Sequence, residues 1–188
     1  MRKLIYSAWI TLDGYVDGPE GEMDWIRGDD HMSQYEIGLV SDANTLMLGR
    51  QTYLDFAGYW PATARNPDAP AWEQAYGQKV DELHKVVVSR TLKDTIWKDA
   101  SILAELSTHA VADLKAGTGK NIVMYGSVGV LQQLAKMGLV DEYHLLVHPV
   151  LVGGGRRLFE RIDERVDLER VEVTPFPSGA TLMVYRPN

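Results

Sequence analysis

The chain has 188 residues, 45% hydrophobic and 24% charged, with 17 Gly, 8 Pro and no Cys, enough for one domain, 1–188, with a sizeable core. Its 19 Lys and Arg against 26 Asp and Glu leave a formal charge of −7, which argues against nonspecific binding to nucleic acid or an anionic membrane. Lacking Cys, it has no disulfide, thiolate metal site, iron–sulfur cluster or Cys nucleophile, which suits a cytoplasmic enzyme better than a small secreted domain.

In chain order, Met1-Arg2-Lys3 ahead of Leu4–Leu12 imitates a signal peptide. Ser7 and Thr11 interrupt the run, however, no A-x-A site follows, and Asp13 and Asp17 come at once. The segment is predicted to be a buried strand, Lys3–Ile10. No apolar stretch approaches the ~20 residues that span a bilayer. A helix is expected over Asp30–Val40, where Met32, Tyr35, Ile37 and Leu39 alternate with polar residues, then a strand at Asn44–Leu48. Gly58–Pro70, with Pro61, Pro67 and Pro70, reads as a loop. Trp72–Leu83 is a helix, Lys85–Ser89 a strand, Thr108–Ala116 a helix and Asn121–Tyr125 a strand.

The clearest helix is Ser127–Met137. Ser127 stands where a cap belongs, Val130, Leu131, Leu134 and Met137 share a face, and Lys136 and Gly138 close it. Strands alternating with helices imply right-handed crossovers and a largely parallel sheet. After Val140 the pattern changes. Tyr143–Val152, Leu168–Thr174 and Ala180–Arg186 are strand-like, with only a short element at Phe159–Arg165 between them. An antiparallel end of the sheet follows, its last hairpin turning at Pro175–Gly179. The fold class is α/β, a mixed, mainly parallel sheet flanked by helices, with a C-terminal antiparallel hairpin.

In open α/β sheets ligands bind beyond the carboxyl ends of the strands. Three segments stand there: Gly49-Arg50-Gln51-Thr52, Ser89-Arg90-Thr91 and Gly126-Ser127-Val128-Gly129. All are small, hydroxylated or cationic. Gly lets backbone approach a ligand, N–H groups at a helix start point at an anion, and Arg forks onto phosphate. Two Arg on separate turns suit two phosphate groups, pyrophosphate and a 2′-phosphate, which favours NADPH over NADH. Each motif alone is more often a plain turn, and their succession on neighbouring strands carries the reading.

Rival motifs are weaker. Gly117-Thr118-Gly119-Lys120 resembles the tail of a P-loop, but position 114 is Leu and the run precedes a strand. His144 and His148 lie ~13 Å apart on a strand, too far to share a metal. Glu105 and His109 lack a third ligand. Gly153-Gly154-Gly155-Arg156-Arg157 reads equally as a bend or a ligand contact. Asp13 and Asp17, each before Gly, suit tight turns, yet Asp13 also stands at the end of a central strand, where a carboxylate can hold polar substrate groups. Asp30 is placed to cap the next helix, or to face a bound heterocycle.

Taken together, Thr11-Leu12-Asp13-Gly14-Tyr15, Leu48-Gly49-Arg50-Gln51-Thr52-Tyr53, Ser89-Arg90-Thr91, Tyr125-Gly126-Ser127 and the runs Gly138–Tyr143 and His148–Gly153 resemble the dihydrofolate reductase-like superfamily. Within it, they resemble the reductase domain of the bifunctional riboflavin-biosynthesis deaminase-reductase (RibD/RibG C-terminal domain). The resemblance implies an NADPH-dependent reductase, often a homodimer, that acts on a small molecule. By position it assigns cofactor phosphate to Gly49, Arg50 and Thr52, the adenosine phosphate end to Ser89 and Arg90, and pyrophosphate to Gly126, Ser127 and Val128. Asp13 would contact substrate.

Two features depart from that family. Its reductases commonly carry Glu-Gly-Gly where this chain has Tyr125-Gly126-Ser127, and the deaminase signature H-x-E…P-C-x-x-C is absent. The alternatives are a dihydrofolate reductase-type pterin reductase, with Asp30 near its buried carboxylate, and a non-catalytic NADPH-binding module.

Overall fold

The computed structural model describes residues 1–162 and 164–188. In chain order the elements are β1 (Leu4–Thr11), α1 (Asp30–Ser41), β2 (Ala43–Gly49), α2 (Arg50–Thr63), α3 (Ala71–Glu82), β3 (His84–Val88), β4 (Ala100–Leu103), α4 (Thr108–Ala116), β5 (Asn121–Tyr125), α5 (Val128–Lys136), β6 (Glu142–His148), β7 (Leu168–Pro175) and β8 (Thr181–Pro187). They form two compact units, one of residues 1–4 and 33–127 and the other of 5–32 and 128–188.

In the first unit the strands run β4-β3-β2-β5, all parallel. Leu46, Met47, Leu48, Val87, Ile122, Val123 and Met124 are fully buried, as continuous apolar runs covered on both faces require. In the second unit the order is β1-β6-β8-β7. There β1 pairs parallel with β6, whereas β8 pairs antiparallel with both β6 and β7. The expected final hairpin is present: the Phe176 N–H donates to Ala180 O at 2.8 Å and the Gly179 N–H to Phe176 O at 3.0 Å.

Several boundaries differ from expectation. α2 occupies a stretch whose Gly58 and Pro61 read as loop, because Tyr53, Phe56 and Trp60 recur at helical spacing and stack. Phe56 lies 6.1 Å from both Trp60 and Tyr125, and Trp60 lies 4.6 Å from Tyr76. Pro61 falls in the last turn of α2, near the helix end. β4 was not expected. It is four residues long and only partly buried, so its alternation is too short to read. β6 stops at His148, since Pro149 has no N–H to continue a ladder. The element expected at Phe159–Arg165 is a turn over 158–161, and Asp163 lies outside the described residues.

A buried cation closes α3. Lys85, fully buried on β3, donates from Nζ to Asp81 O at 2.8 Å and Lys98 O at 3.3 Å. It also stands 4.4 Å over the Trp97 ring. Asp81 accepts from Trp97 Nε1 at 2.7 Å and pairs with Lys98 Nζ at 2.6 Å. Burial lowers the Lys85 ammonium from 10.5 to about 8. Between those two values the unfolded chain holds a proton that the folded chain has released, so Lys85 makes stability climb with pH there. Burial raises Tyr6, Tyr76 and Tyr125, which favours unfolding once free tyrosine ionises, near 10. Urea unfolding of the native protein relative to Lys85→Met should therefore show a stability difference that grows from pH 8 to pH 10. A difference that stays flat across that range would show that Lys85 keeps its proton throughout.

Candidate functional site

The first unit brings together three turns at the carboxyl ends of its strands. Gly49 closes β2, and its N–H donates to the Ser127 hydroxyl at 2.6 Å. The Ser127 and Thr52 hydroxyls are hydrogen-bonded at 2.9 Å. Gly126 and Ser127 are consecutive left-handed residues, with φ of 54° and 53°. A Cβ at position 126 would lie 2.8 Å from Thr52 Oγ1 and 2.9 Å from its Cγ2, so the close approach requires glycine. Ser127 has a Cβ in the same left-handed region, a cost its two hydrogen bonds offset.

The third turn joins through Arg50, whose Nη1 donates to Thr91 Oγ1 at 3.3 Å. Ser89 is buried, and its hydroxyl accepts the N–H groups of Thr91 at 3.2 Å and Leu92 at 3.0 Å. It closes the turn and leaves Arg90 exposed, with no side-chain partner among the described residues. The α2 N-terminus has no side-chain cap of its own, so its first-turn N–H groups remain available to an anion. Gly49, Arg50, Thr52, Ser89, Arg90, Gly126 and Ser127 thus stand on one rim, hydroxylated and carrying two Arg. Ser127 does not cap α5, as its sequence position suggested. Its φ is wrong for a cap, and its hydroxyl is spent on Gly49 and Thr52.

Asp13, Asp30 and Val128 belong to the second unit. Asp13 accepts from the Thr11 hydroxyl at 2.6 Å, the Gly153 N–H at 2.9 Å and the Val152 N–H at 3.4 Å. The Thr11 bond foremost, then those two backbone donors, hold its carboxyl below the usual carboxylate range against desolvation. Both of its oxygens are engaged inside the chain. Asp30 is exposed at the first position of α1. The cap is its neighbour Asp29, which accepts the Met32 N–H at 2.9 Å and, from the other oxygen, the Ser178 N–H at 2.7 Å. Desolvation opposes the ionised form of Asp29, but hydrogen bonds from Ser178, Met32 and His31 prevail and bring it down to about 2. Val128 opens α5 and is half-buried.

The Gly153–Arg157 run is a bend docked on the Asp13–Asp17 loop. Buried Asp17 accepts the Arg156 N–H at 2.7 Å and its Nε–H at 2.5 Å. A Cβ at Gly155 would meet Asp17 O at 2.1 Å, and Arg157 covers the Tyr15 ring at 4.7 Å.

Sequence reasoning missed one feature of this unit. Trp25 and His148 are both buried, their rings 5.3 Å apart, and neither Trp25 Nε1 nor His148 Nε2 has a hydrogen-bond partner among the described residues. His148 Nδ1 accepts the Arg27 N–H at 3.4 Å, which leaves the ring proton on Nε2. Burial lowers the pKa of His148, so the ring is neutral at neutral pH. Two neutral N–H donors are left for an acceptor. Nothing in the spacing of Trp25 and His148 announces them.

No described helix is long and apolar enough to cross a membrane, and no described His, Asp or Glu cluster could hold a metal. Strands so connected, parallel in one unit and mixed in the other, are those of the dihydrofolate reductase-like α/β class. Dihydrofolate reductase from Enterococcus faecalis, solved with NADP(H), superposes with a TM-score of 0.63 at 18% identity, over 99% of this chain and 96% of that one. Within that class the chain belongs to the RibD C-terminal domain family, whose model matches residues 2–182.

The uncharacterized protein YyaP of Bacillus subtilis is 32% identical over 187 residues, spanning 100% of this chain and 96% of YyaP. The Thermotoga maritima diaminohydroxyphosphoribosylaminopyrimidine deaminase/5-amino-6-(5-phosphoribosylamino)uracil reductase superposes with a TM-score of 0.69 at 13% identity. It is covered over 57% of its length by 100% of this chain.

The close approach of Gly126 to Thr52 is directly testable. Gly126→Ala should cost about 1–3 kcal/mol in urea unfolding, from the left-handed φ and the contact with Thr52 together. Combining it with Thr52→Ala should recover the part due to that contact. A double variant no more stable than Gly126→Ala would remove Thr52 from the account.

Proposed function

We propose that the chain is an NADPH-dependent oxidoreductase that transfers hydride to a small heterocyclic or ribosylamine substrate, as the 5-amino-6-(5-phosphoribosylamino)uracil reductases do. The observation that carries this reading is the single rim made by Gly49–Thr52, Ser89–Thr91 and Gly126–Ser127. The named activity of the Thermotoga relative and the NADP(H) in the Enterococcus structure support it.

The residues fit the cofactor. The open α2 N-terminus favours phosphate, the Thr52 and Ser127 hydroxyls stand beside it, and two Arg supply charge. When bound, the cofactor supplies the hydride. Arg50, Thr52 and the α2 N-terminus would hold one phosphate group, with Gly126 and Ser127 on the pyrophosphate. Ser89 would fix the turn that presents Arg90 to the 2′-phosphate.

On the substrate side, Asp13 positions the loop that it ties to Gly153. Asp30, whose side chain has no partner among the described residues, offers a carboxylate to substrate amines. Trp25 and His148 offer two N–H donors to a ring carbonyl oxygen. A cytoplasmic location and a homodimeric state go with the same reading.

Titration with both cofactors tests the phosphate assignment. Arg90→Ala should weaken NADPH by about 1.5–3 kcal/mol, the worth of a charge-assisted hydrogen bond, and NADH hardly at all. Equal losses would refute the 2′-phosphate role. NADPH oxidation is then followed with ribosylaminouracil phosphate, with dihydropterins and with simple carbonyls. Turnover with the first supports the riboflavin-type reading, and turnover with dihydropterin replaces it by a pterin reductase. Tight NADPH binding with no oxidation of any of them would make the chain a binding module.

A further inference from the structure

Outside the phosphate-receptive rim, at the start of β3 and β4, three side chains form a hydrogen-bonded series. His84 Nδ1 lies 2.8 Å from Asp99 Oδ1, and His84 Nε2 lies 2.9 Å from Ser101 Oγ. The Asp99 carboxylate selects the tautomer with the proton on Nδ1. Nε2 is then the acceptor, and the Ser101 O–H donates to it. A hydroxyl on a base, and that base held by a carboxylate, is the arrangement that activates a serine for attack on an acyl carbon.

Two further observations bear on the same place. Asp99 is one of two described non-glycine residues with positive φ, at 49°, strain that persists only where surroundings impose it. Here its own backbone oxygen, accepting the Lys85 N–H at 2.9 Å, helps hold it opposite His84. Ser101 also lies on an edge strand. Asp99 O and Leu103 O both accept from the β3 side, from Lys85 and Ser89. Residues at even positions of β4 therefore turn their N–H groups away from β3. The Ile102 N–H, next in chain to Ser101, points off the sheet edge, where it can stabilise an oxyanion.

We propose that Ser101, His84 and Asp99 form a second reactive site, an esterase-like nucleophile for small activated acyl esters. In the first step Ser101 Oγ bonds to the acyl carbon and its proton passes to His84 Nε2. The ester C–O bond then breaks, and the alcohol or phenol leaves with that proton. Water next attacks the acyl-serine, giving up a proton through His84 to Ser101 Oγ, and the carboxylic acid is released. Ester and water become acid and alcohol, with no redox change. The His84 side chain is 40% exposed and that of Asp99 61%. Water screens the pair, which confines the site to substrates with good leaving groups and slow turnover. The site is independent of the proposed reductase activity, and either can fail without the other.

The test uses the full chain and two probes. With p-nitrophenyl acetate, the acylation rate should fall at least about tenfold in Ser101→Ala and in His84→Gln, and several-fold in Asp99→Asn. A fluorophosphonate should add to Ser101, located by peptide mass spectrometry, in the native protein and not in His84→Gln. NADPH binding of all three variants should match the native protein. Adducts found only on lysines or tyrosines, or rates unchanged in Ser101→Ala, would show that the three side chains merely tie β4 to β3 and would overturn the proposal.

Discussion

The Ser127 hydroxyl organises the rim at the carboxyl ends of the first unit's strands. It accepts the Gly49 N–H and meets the Thr52 hydroxyl, which joins the end of β2, the first turn of α2 and the end of β5. This contact is possible because Gly126 has no side chain to keep Thr52 away and because position 127 tolerates a left-handed backbone. With Ser127 taking the Gly49 N–H, the N–H groups of Arg50, Gln51 and Thr52 remain as the open donors of α2. Arg50 then bridges to Thr91, which extends the rim to the turn after β3. The chemistry this region offers is a consequence of which donors the protein has already satisfied and which it has left.

The second unit is built on carboxylates used as ties. Asp13 fastens the loop after β1 to Val152 and Gly153, Asp17 fastens the same loop to Arg156, and Asp29 joins the start of α1 to the β7–β8 turn. A buried or half-buried carboxylate that accepts several backbone N–H groups is well satisfied and holds irregular chain in one conformation. The aspartates of this stretch therefore differ in kind: Asp13, Asp17 and Asp29 are consumed by structure, and Asp30, beside the last, remains exposed. Against that background, Trp25 Nε1 and His148 Nε2 stand, with the Tyr6, Ser7 and Ser178 hydroxyls, as the buried polar side-chain atoms of this unit without a hydrogen-bond partner among the described residues.

Much of this could be read from sequence. Long apolar runs such as Leu46–Leu48 and Ile122–Met124 have one stable use, a covered strand, and the spacing of α5 has one apolar face. The change from parallel to antiparallel pairing beyond β6 followed from the missing helices. Elements whose local signals conflict with their packing were not readable. Gly58 and Pro61 argue for a loop, and the stack of Phe56, Trp60, Tyr76 and Tyr125 overrides them. β4, with Ala100, Ser101, Ile102 and Leu103, is defined by pairing with β3 more than by its own composition.

Site residues divide in the same way. That Gly, Ser, Thr and Arg at the ends of β2, β3 and β5 come to one rim follows from strand connection, because parallel strands bring their carboxyl ends to one edge. Which side chain does what was set by contacts distant in sequence. Ser127 serves Gly49 and not its own helix, Asp29 caps in place of Asp30, and Asp13 is occupied by Gly153. A residue's chemistry is local and can be read from the chain. Its partner is chosen by where the backbone brings other donors and acceptors, and only folding decides that.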